Sequence, residues 1–310
     1  MKKWLLVGLS FCIGLSLLAF IRTTDLDGVL ALVSRVGFNA AWLILITGMA
    51  HCFGAMSWRY CLGGHRKRIS TFRLFLIRHV GETVALFNPA SIVGGDAVKV
   101  LLLKNYDIDR RSVITSVVVS RLVLVASQLA LFVFTLMVLA MQNAGFSAWP
   151  VHSKATGLYL LFHGKVKGLR LKMATIFKEI HPFFRHYQRA LGWSALFALL
   201  HWFFGAMEFF FILKFLNMEV SIVQALLIDL GVVFFKAAGA FIPGQLGVEE
   251  YGNKIMLMAI GIPDTDIWLS ASILRRGRQL VWIALGALAW FLLYRRHRLS
   301  PEGLHHSPNE

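Results

Sequence analysis

The chain has 310 residues, 57% of them hydrophobic and 13% aromatic, with only 15% charged. Soluble domains run at about 45–50% apolar and about 25% charged, so composition excludes a soluble globular enzyme and a disordered or collagen-like chain. The net charge is +16, an excess that a membrane protein carries mainly on its cytoplasmic side, and nucleic acid is not an expected partner.

In chain order, Lys2 and Lys3 precede an apolar run over 4–20. No small-residue cleavage site follows, since Leu17, Leu18, Ala19 and Phe20 stand there, so the run is expected to be an uncleaved first helix with its N-terminus inside. The second apolar run, 40–58, is followed by Arg59, Arg66, Lys67, Arg68, Arg73 and Arg78 without an acid, which marks its end as cytoplasmic. Residues 79–103 are apolar but interrupted by Pro89 and by Gly94-Gly95, and the far end is basic again, with Lys99, Lys104, Arg110 and Arg111. Both ends call for the cytoplasm, so the expectation is a re-entrant hairpin; an amphipathic surface helix is the alternative.

A long helix over 112–141 carries one charge, Arg121. The loop that follows, 142–152, has no charged residue, and a crossing is required somewhere in 142–163 although the apolar signal there is weak. A basic stretch from Lys165 to Arg189 carries Phe177, Phe183 and Phe184 among its cations, a composition suited to an anionic leaflet. Residues 191–216 form a spanning segment with Glu208, and 220–241 holds Asp229 and Lys236 before a stop at Pro243-Gly244 and Gly247. A short apolar piece over 251–262 and a long segment over 264–294 with Arg275, Arg276 and Arg278 complete the series, and the polar tail from Arg295 is placed in the cytoplasm.

A shift of 154 residues carries Phe87 and Pro89 onto Phe241 and Pro243, Ser116 and Arg121 onto Ser270 and Arg275, and the segment near 41–60 onto that near 195–214. A single crossing in 142–163 would invert the second copy relative to the first, the arrangement of many transporters. The expected fold is therefore an all-α polytopic membrane protein in one integral domain, 1–310. It has repeat halves at about 40–141 and 194–295, a basic cytoplasmic linker at about 164–190, and re-entrant hairpins broken at Pro89, Gly94, Gly95 and at Pro243, Gly244, Gly247.

An arginine near the centre of a spanning helix costs at least about 2.5–3.5 kcal/mol by insertion scales, so Arg121 and Arg275 must face partners or water. Asp96 and Glu249 or Glu250 are the natural partners, with Lys99 near. Hairpin helices starting at Ala97 and Tyr251 would aim their N-termini at the midplane, where paired guanidiniums and helix dipoles suit a phosphate. A purely structural lock of each arginine on its acid stays open beside this. Glu82, Glu208, Asp229 and Lys236 are candidates for coupling, and the shift sets Glu82 opposite Lys236. Cys12, Cys52 and Cys61 have no metal spacing, and His51 and His201 suit bonds to a neighbouring helix, so no metal, cofactor or catalytic group is expected. Asp107 and Asp109 form a DxD-like pair that could hold a metal in a membrane-embedded lipid transferase.

Two stretches resemble the membrane region of lysylphosphatidylglycerol synthases, the flippase-like membrane family. One runs from Gly81-Glu82 through Asn88-Pro89, Gly95-Asp96, Lys99 and Leu102 to Arg121-Leu122; the other is Pro243-Gly244-Gln245-Leu246-Gly247-Val248-Glu249 followed by Arg275. The resemblance spans most of 5–295. The chain departs from the family pattern at Ala90-Ser91, at Lys99 where arginine is usual, and at Ser120 and Leu124 beside Arg121, which touches substrate identity more than fold. The resemblance implies movement of a lipid, anionic or polyprenyl-type, across the bacterial inner membrane, without aminoacyl transfer. The alternative is a non-catalytic accessory of a lipid-modifying or glycosyl-lipid enzyme.

Overall fold

A computed structural model describes residue 22 and residues 26–87, 91–142, 183–240 and 242–298. The expected first helix, Pro89, nearly all of the crossing in 142–163, most of the basic linker and the C-terminal tail beyond Arg298 lie outside the described residues. Among the described residues every regular element is helical: α1 Leu26–Val36, α2 Ala40–Cys61, α3 Thr71–Phe87, α4 Ser91–Leu103, α5 Arg110–Met141, α6 Gln188–Phe215, α7 Ile222–Ala238, α8 Val248–Ala259 and α9 Thr265–Arg298. Among the described residues, three stretches are long and apolar enough to cross a membrane: Leu30–Cys61, Arg110–Met141 and Gln188–Phe215.

Local chemistry starts and stops these helices. Asp109 is extended at φ −60°, ψ 142°, and its Oδ2 accepts the Ser112 N–H at 2.8 Å, capping α5. The bonds from Ser112 hold the exposed Asp109 carboxyl below its ordinary range. Ser221 and Gln224 form a reciprocal capping box on α7. Between α7 and α8 lies a 3₁₀ turn, Pro243–Gln245, with Gly244 at φ 66° and Gly247 at φ 76° immediately before α8. Both glycines occupy the left-handed region that a side chain would strain.

The hairpin helices differ from the expectation in extent. Gly94 and Gly95 are not breaks; they lie inside α4. Glycine weakens a helix by about 1 kcal/mol relative to alanine, but here it lets α3 and α4 touch, since a Cβ on Gly95 would come within 2.3 Å of the Gly81 carbonyl oxygen. The second arms begin at Ser91 and Val248, not at Ala97 and Tyr251. At 1.5 Å per residue α3 and α7 are each about 26 Å long, more than half of a roughly 30 Å hydrocarbon core. Likewise α6 starts at Gln188, so the end of the expected linker is its first turn.

The elements recur in order. A long helix, two packed helices and a long helix make up α2, α3, α4, α5 and again α6, α7, α8, α9. The two equivalent helices α2 and α6 form the central contact and run antiparallel. Ser57 Oγ meets Ser194 Oγ at 3.0 Å, while toward the other end His201 Nδ1 bonds the Ala50 carbonyl at 2.7 Å. Small residues at this seam, Ala50, Ser57, Cys61 and Ser194, allow the close approach typical of helices packed in lipid. Corresponding long helices pack on the opposite half: the Gln128 amide of α5 bonds the Leu230 carbonyl of α7, and Trp282 of α9, which the 154-residue shift pairs with Gln128, accepts from His79 of α3 at 2.7 Å. Outward faces are apolar, as at Leu129, Val133, Phe134 and Met137 on α5, a surface suited to lipid rather than water.

Candidate functional site

Among the described residues, the charged side chains inside this apolar body gather in two clusters, one per half. In the first, α3 and α4 meet α5. Arg78 and Glu82 stand one turn apart on α3 and pair at 2.8 Å, with Arg78 Nη1 also donating to the His51 carbonyl at 3.2 Å. Lys99 and Arg121 both reach Oδ1 of Asp96, at 3.0 and 2.9 Å. The Lys99 ammonium also lies 5.9 Å from the Trp58 ring centre. Three cations thus face two carboxylates. A narrow, open-sided cleft with room for about one water molecule is lined by Trp58, Arg78, Glu82, Asp96, Lys99 and Arg121, with Val117, Ser120 and Leu124. Arg121 keeps 36% of its side chain exposed, whereas Arg78 and Lys99 keep 6% and 8%.

Glycine shapes this cluster. A Cβ on Gly54 would lie 2.4 Å from the Arg78 guanidinium carbon, and one on Gly81 would lie 2.6 Å from the Lys99 stem. Both cations occupy space that only glycine leaves.

The second cluster is closed and balanced. Arg275, 7% exposed, meets Glu249 at 3.1 Å, Asp229 at 3.2 Å and Glu208 at 3.7 Å. Its guanidinium also stacks 4.2 Å from the Phe209 ring centre. Arg278 grips Glu208 bidentately at 2.6 and 3.0 Å, Lys236 holds Glu249 at 3.2 Å, and Arg276 pairs with Glu250. Around Arg275, three cations (Arg275, Arg278, Lys236) meet three carboxylates (Glu208, Asp229, Glu249). A buried set of this kind is stable only while complete, because removing one partner leaves an uncompensated charge.

Each of Arg121 and Arg275 therefore meets an acid of its own half. Glu82 and Lys236, which the shift sets opposite each other, do not pair: Glu82 stays on Arg78 and faces His51 at 3.5 Å, and Lys236 stays on Glu249. The reason is proximity, since each has an opposite charge within its own helix pair. Glu208 and Asp229 join Arg275 rather than standing apart as coupling groups. The register partner of Lys99, Asn253, bonds Ser272 at 2.9 Å instead of a charge.

Sequence reasoning missed Arg78, Arg278, His51 and His79 as members of these clusters. For Arg78 a signal exists: it lies four residues before Glu82, the spacing of an intrahelical pair, although in sequence it also ends the run of loop cations that begins at Arg59. His51, His79 and Glu82 bring one donor atom each within 4.8 Å of one another, a set able to hold a metal ion. Two of the three are already engaged, His79 Nε2 by the Trp282 carbonyl and Glu82 by Arg78. Asp107 pairs with Arg68 at 2.8 Å and Asp109 caps α5, so both acids of the DxD-like pair have structural partners.

No curated protein and no solved structure matches the chain. The family model of the lysylphosphatidylglycerol synthase TM region matches residues 5–296. With membrane-length helices carrying two buried charge clusters, the chain is a membrane protein of the lysylphosphatidylglycerol synthase transmembrane family, a family of the lipid-metabolism and flippase type.

Proposed function

We propose that this protein translocates an amphiphilic lipid across the bacterial inner membrane and takes its anionic head group into the cleft between α3, α4 and α5. The observation that carries the reading is the charge imbalance there: Arg78, Lys99 and Arg121 against Glu82 and Asp96, along a narrow open-sided cleft that widens to admit the head. A phosphate supplies the missing negative charge and more acceptor oxygens than Asp96 alone, and guanidinium and ammonium groups are its ordinary ligands. Arg121, the most exposed of the three, meets the head first, and Asp96 takes Lys99 and Arg121 back when the head leaves.

The two halves act as an inverted repeat, which the antiparallel contact of α2 with α6 supports. The helix pairs α3–α4 and α7–α8 are its two re-entrant hairpins. The balanced cluster around Arg275 is the fixed side of the molecule, and the unbalanced cluster is the working side. Both termini lie in the cytoplasm by the distribution of Lys and Arg.

The test is lipid scrambling in proteoliposomes that contain the full chain, with fluorescent phosphatidylglycerol and a zwitterionic lipid compared. Wild type accelerates flipping of the anionic lipid, and Arg121→Ala with Lys99→Ala abolishes it. If neither lipid is accelerated by folded protein, an accessory to a lipid-modifying enzyme becomes the better reading, and co-purification identifies that enzyme.

A further inference from the structure

We infer a second lipid site, distinct from the transport cleft, where the end of α2 meets the start of α6. The 3₁₀ turn Gly63–Lys67 and the residues leading into α6 enclose an open cleft of about 540 Å³. Arg66, Lys67, Arg185 and Arg189 line it, with His186 and Tyr187, and among the described residues no carboxylate lines it. Four cations around one hollow repel one another unless an anion lies between them.

Three further features fit an anionic head group rather than a dissolved ion. The N-terminus of α6, a 28-residue helix, opens here with no side-chain cap, so its dipole and first-turn N–H groups favour negative charge at the same place. The wall is held rigid by Gly63 at φ 56°, where a Cβ would sit 3.0 Å from the Tyr187 ring. Immediately above, Tyr60 stacks with Trp193 and Phe197 at 6.4 and 5.7 Å, and Arg66 lies 5.7 Å over the Tyr60 ring. Trp193 is exposed and Tyr60 half-buried, and Trp and Tyr in such positions sit at the level of lipid head groups. The cleft thus faces the leaflet at its phosphate plane, with acyl chains free to lie along α2 and α6. The occupant is an anionic glycerophospholipid held as a resident ligand that clamps the α2–α6 contact on which the two halves meet.

Native mass spectrometry of the full chain in zwitterionic detergent tests this, with short-chain phosphatidylglycerol, short-chain phosphatidylcholine and inorganic phosphate as probes. Wild type binds phosphatidylglycerol over phosphatidylcholine. Replacing Arg66, Lys67, Arg185 and Arg189 with glutamine removes one bound phosphatidylglycerol, with affinity falling about fivefold for each cation lost. The Arg121→Gln/Lys99→Gln variant keeps that bound lipid, which separates this site from the transport cleft. If the fourfold variant does not fold, Arg66→Gln/Arg189→Gln serves in its place. Unchanged phosphatidylglycerol binding after substitution of Arg66, Lys67, Arg185 and Arg189, or of Arg66 and Arg189 alone, overturns the proposal, and so does inorganic phosphate competing as well as the lipid.

Discussion

Gly54 and Arg78 fit together as only a glycine allows: a Cβ on Gly54 would come within 2.4 Å of the Arg78 guanidinium carbon and both terminal nitrogens would be nearly as close. Gly54→Ala is therefore expected to push Arg78 off Glu82 and His51 and to cost about 1–3 kcal/mol through overpacking. Gly192→Ala is the control. It is exposed in α6 with nothing within 4 Å of its Cβ position, and should stabilise by about 0.5–1 kcal/mol. Thermal unfolding of the two variants in the same detergent checks both signs.

Glu208 holds Arg278 bidentately and also faces Arg275. Glu208→Gln removes the carboxylate from two buried guanidiniums, and a loss of about 3–5 kcal/mol follows. Arg121→Gln is expected to cost about 1 kcal/mol or less, because its side chain is partly exposed and its acid keeps Lys99. A similar drop in melting temperature for the two variants would contradict the division into a fixed and a working cluster.

Asp96 is the common acceptor for Lys99 and Arg121. Asp96→Asn frees both cations and raises the positive charge of the cleft, so an anionic head should bind more tightly and leave more slowly. Titration with phosphatidylglycerol is expected to show higher affinity while scrambling slows. Faster scrambling, or weaker binding, would count against Asp96 as the group that releases the head.

Asp109 caps α5 from outside the apolar segment, and Asp109→Ala is expected to cost about 1 kcal/mol, with Asp109→Asn close to wild type. Its carboxyl is held below the ordinary value, so its contribution is present above the unfolded pKa, near 3.9, and fades as pH falls through the lower folded value. Melting curves of wild type and Asp109→Ala measured toward acid pH should converge. If Asp109→Asn loses a lipid-transferase activity instead, the acid has a chemical task beyond the cap.

Much of the helix order was legible because hydrophobic length and Lys/Arg placement are local properties. The run 112–141 and the helix Arg110–Met141 nearly coincide, and the stop at Pro243-Gly244 falls between α7 and α8. The pairing of Arg121 with Asp96 was legible for a similar reason: an arginine inside an apolar helix must find an acid, and few were near. The length of the hairpin helices was not legible. Gly94-Gly95 looks like a break in sequence, and only the approach of Gly81 on the facing helix explains why it is helical.

By itself the sequence determined a membrane protein, its succession of apolar segments and the 154-residue recurrence, since each follows from composition and spacing along one chain. The tertiary structure decided how the charges are shared. Glu82 kept to Arg78 and Lys236 to Glu249, while Glu208, Asp229 and Glu249 converged on Arg275 from three helices. A buried charge pairs with whatever opposite charge the packing brings within a few ångströms, and that distance is a property of the folded helices, not of sequence separation. The surplus cation in one half, and the balance in the other, exist only at that level.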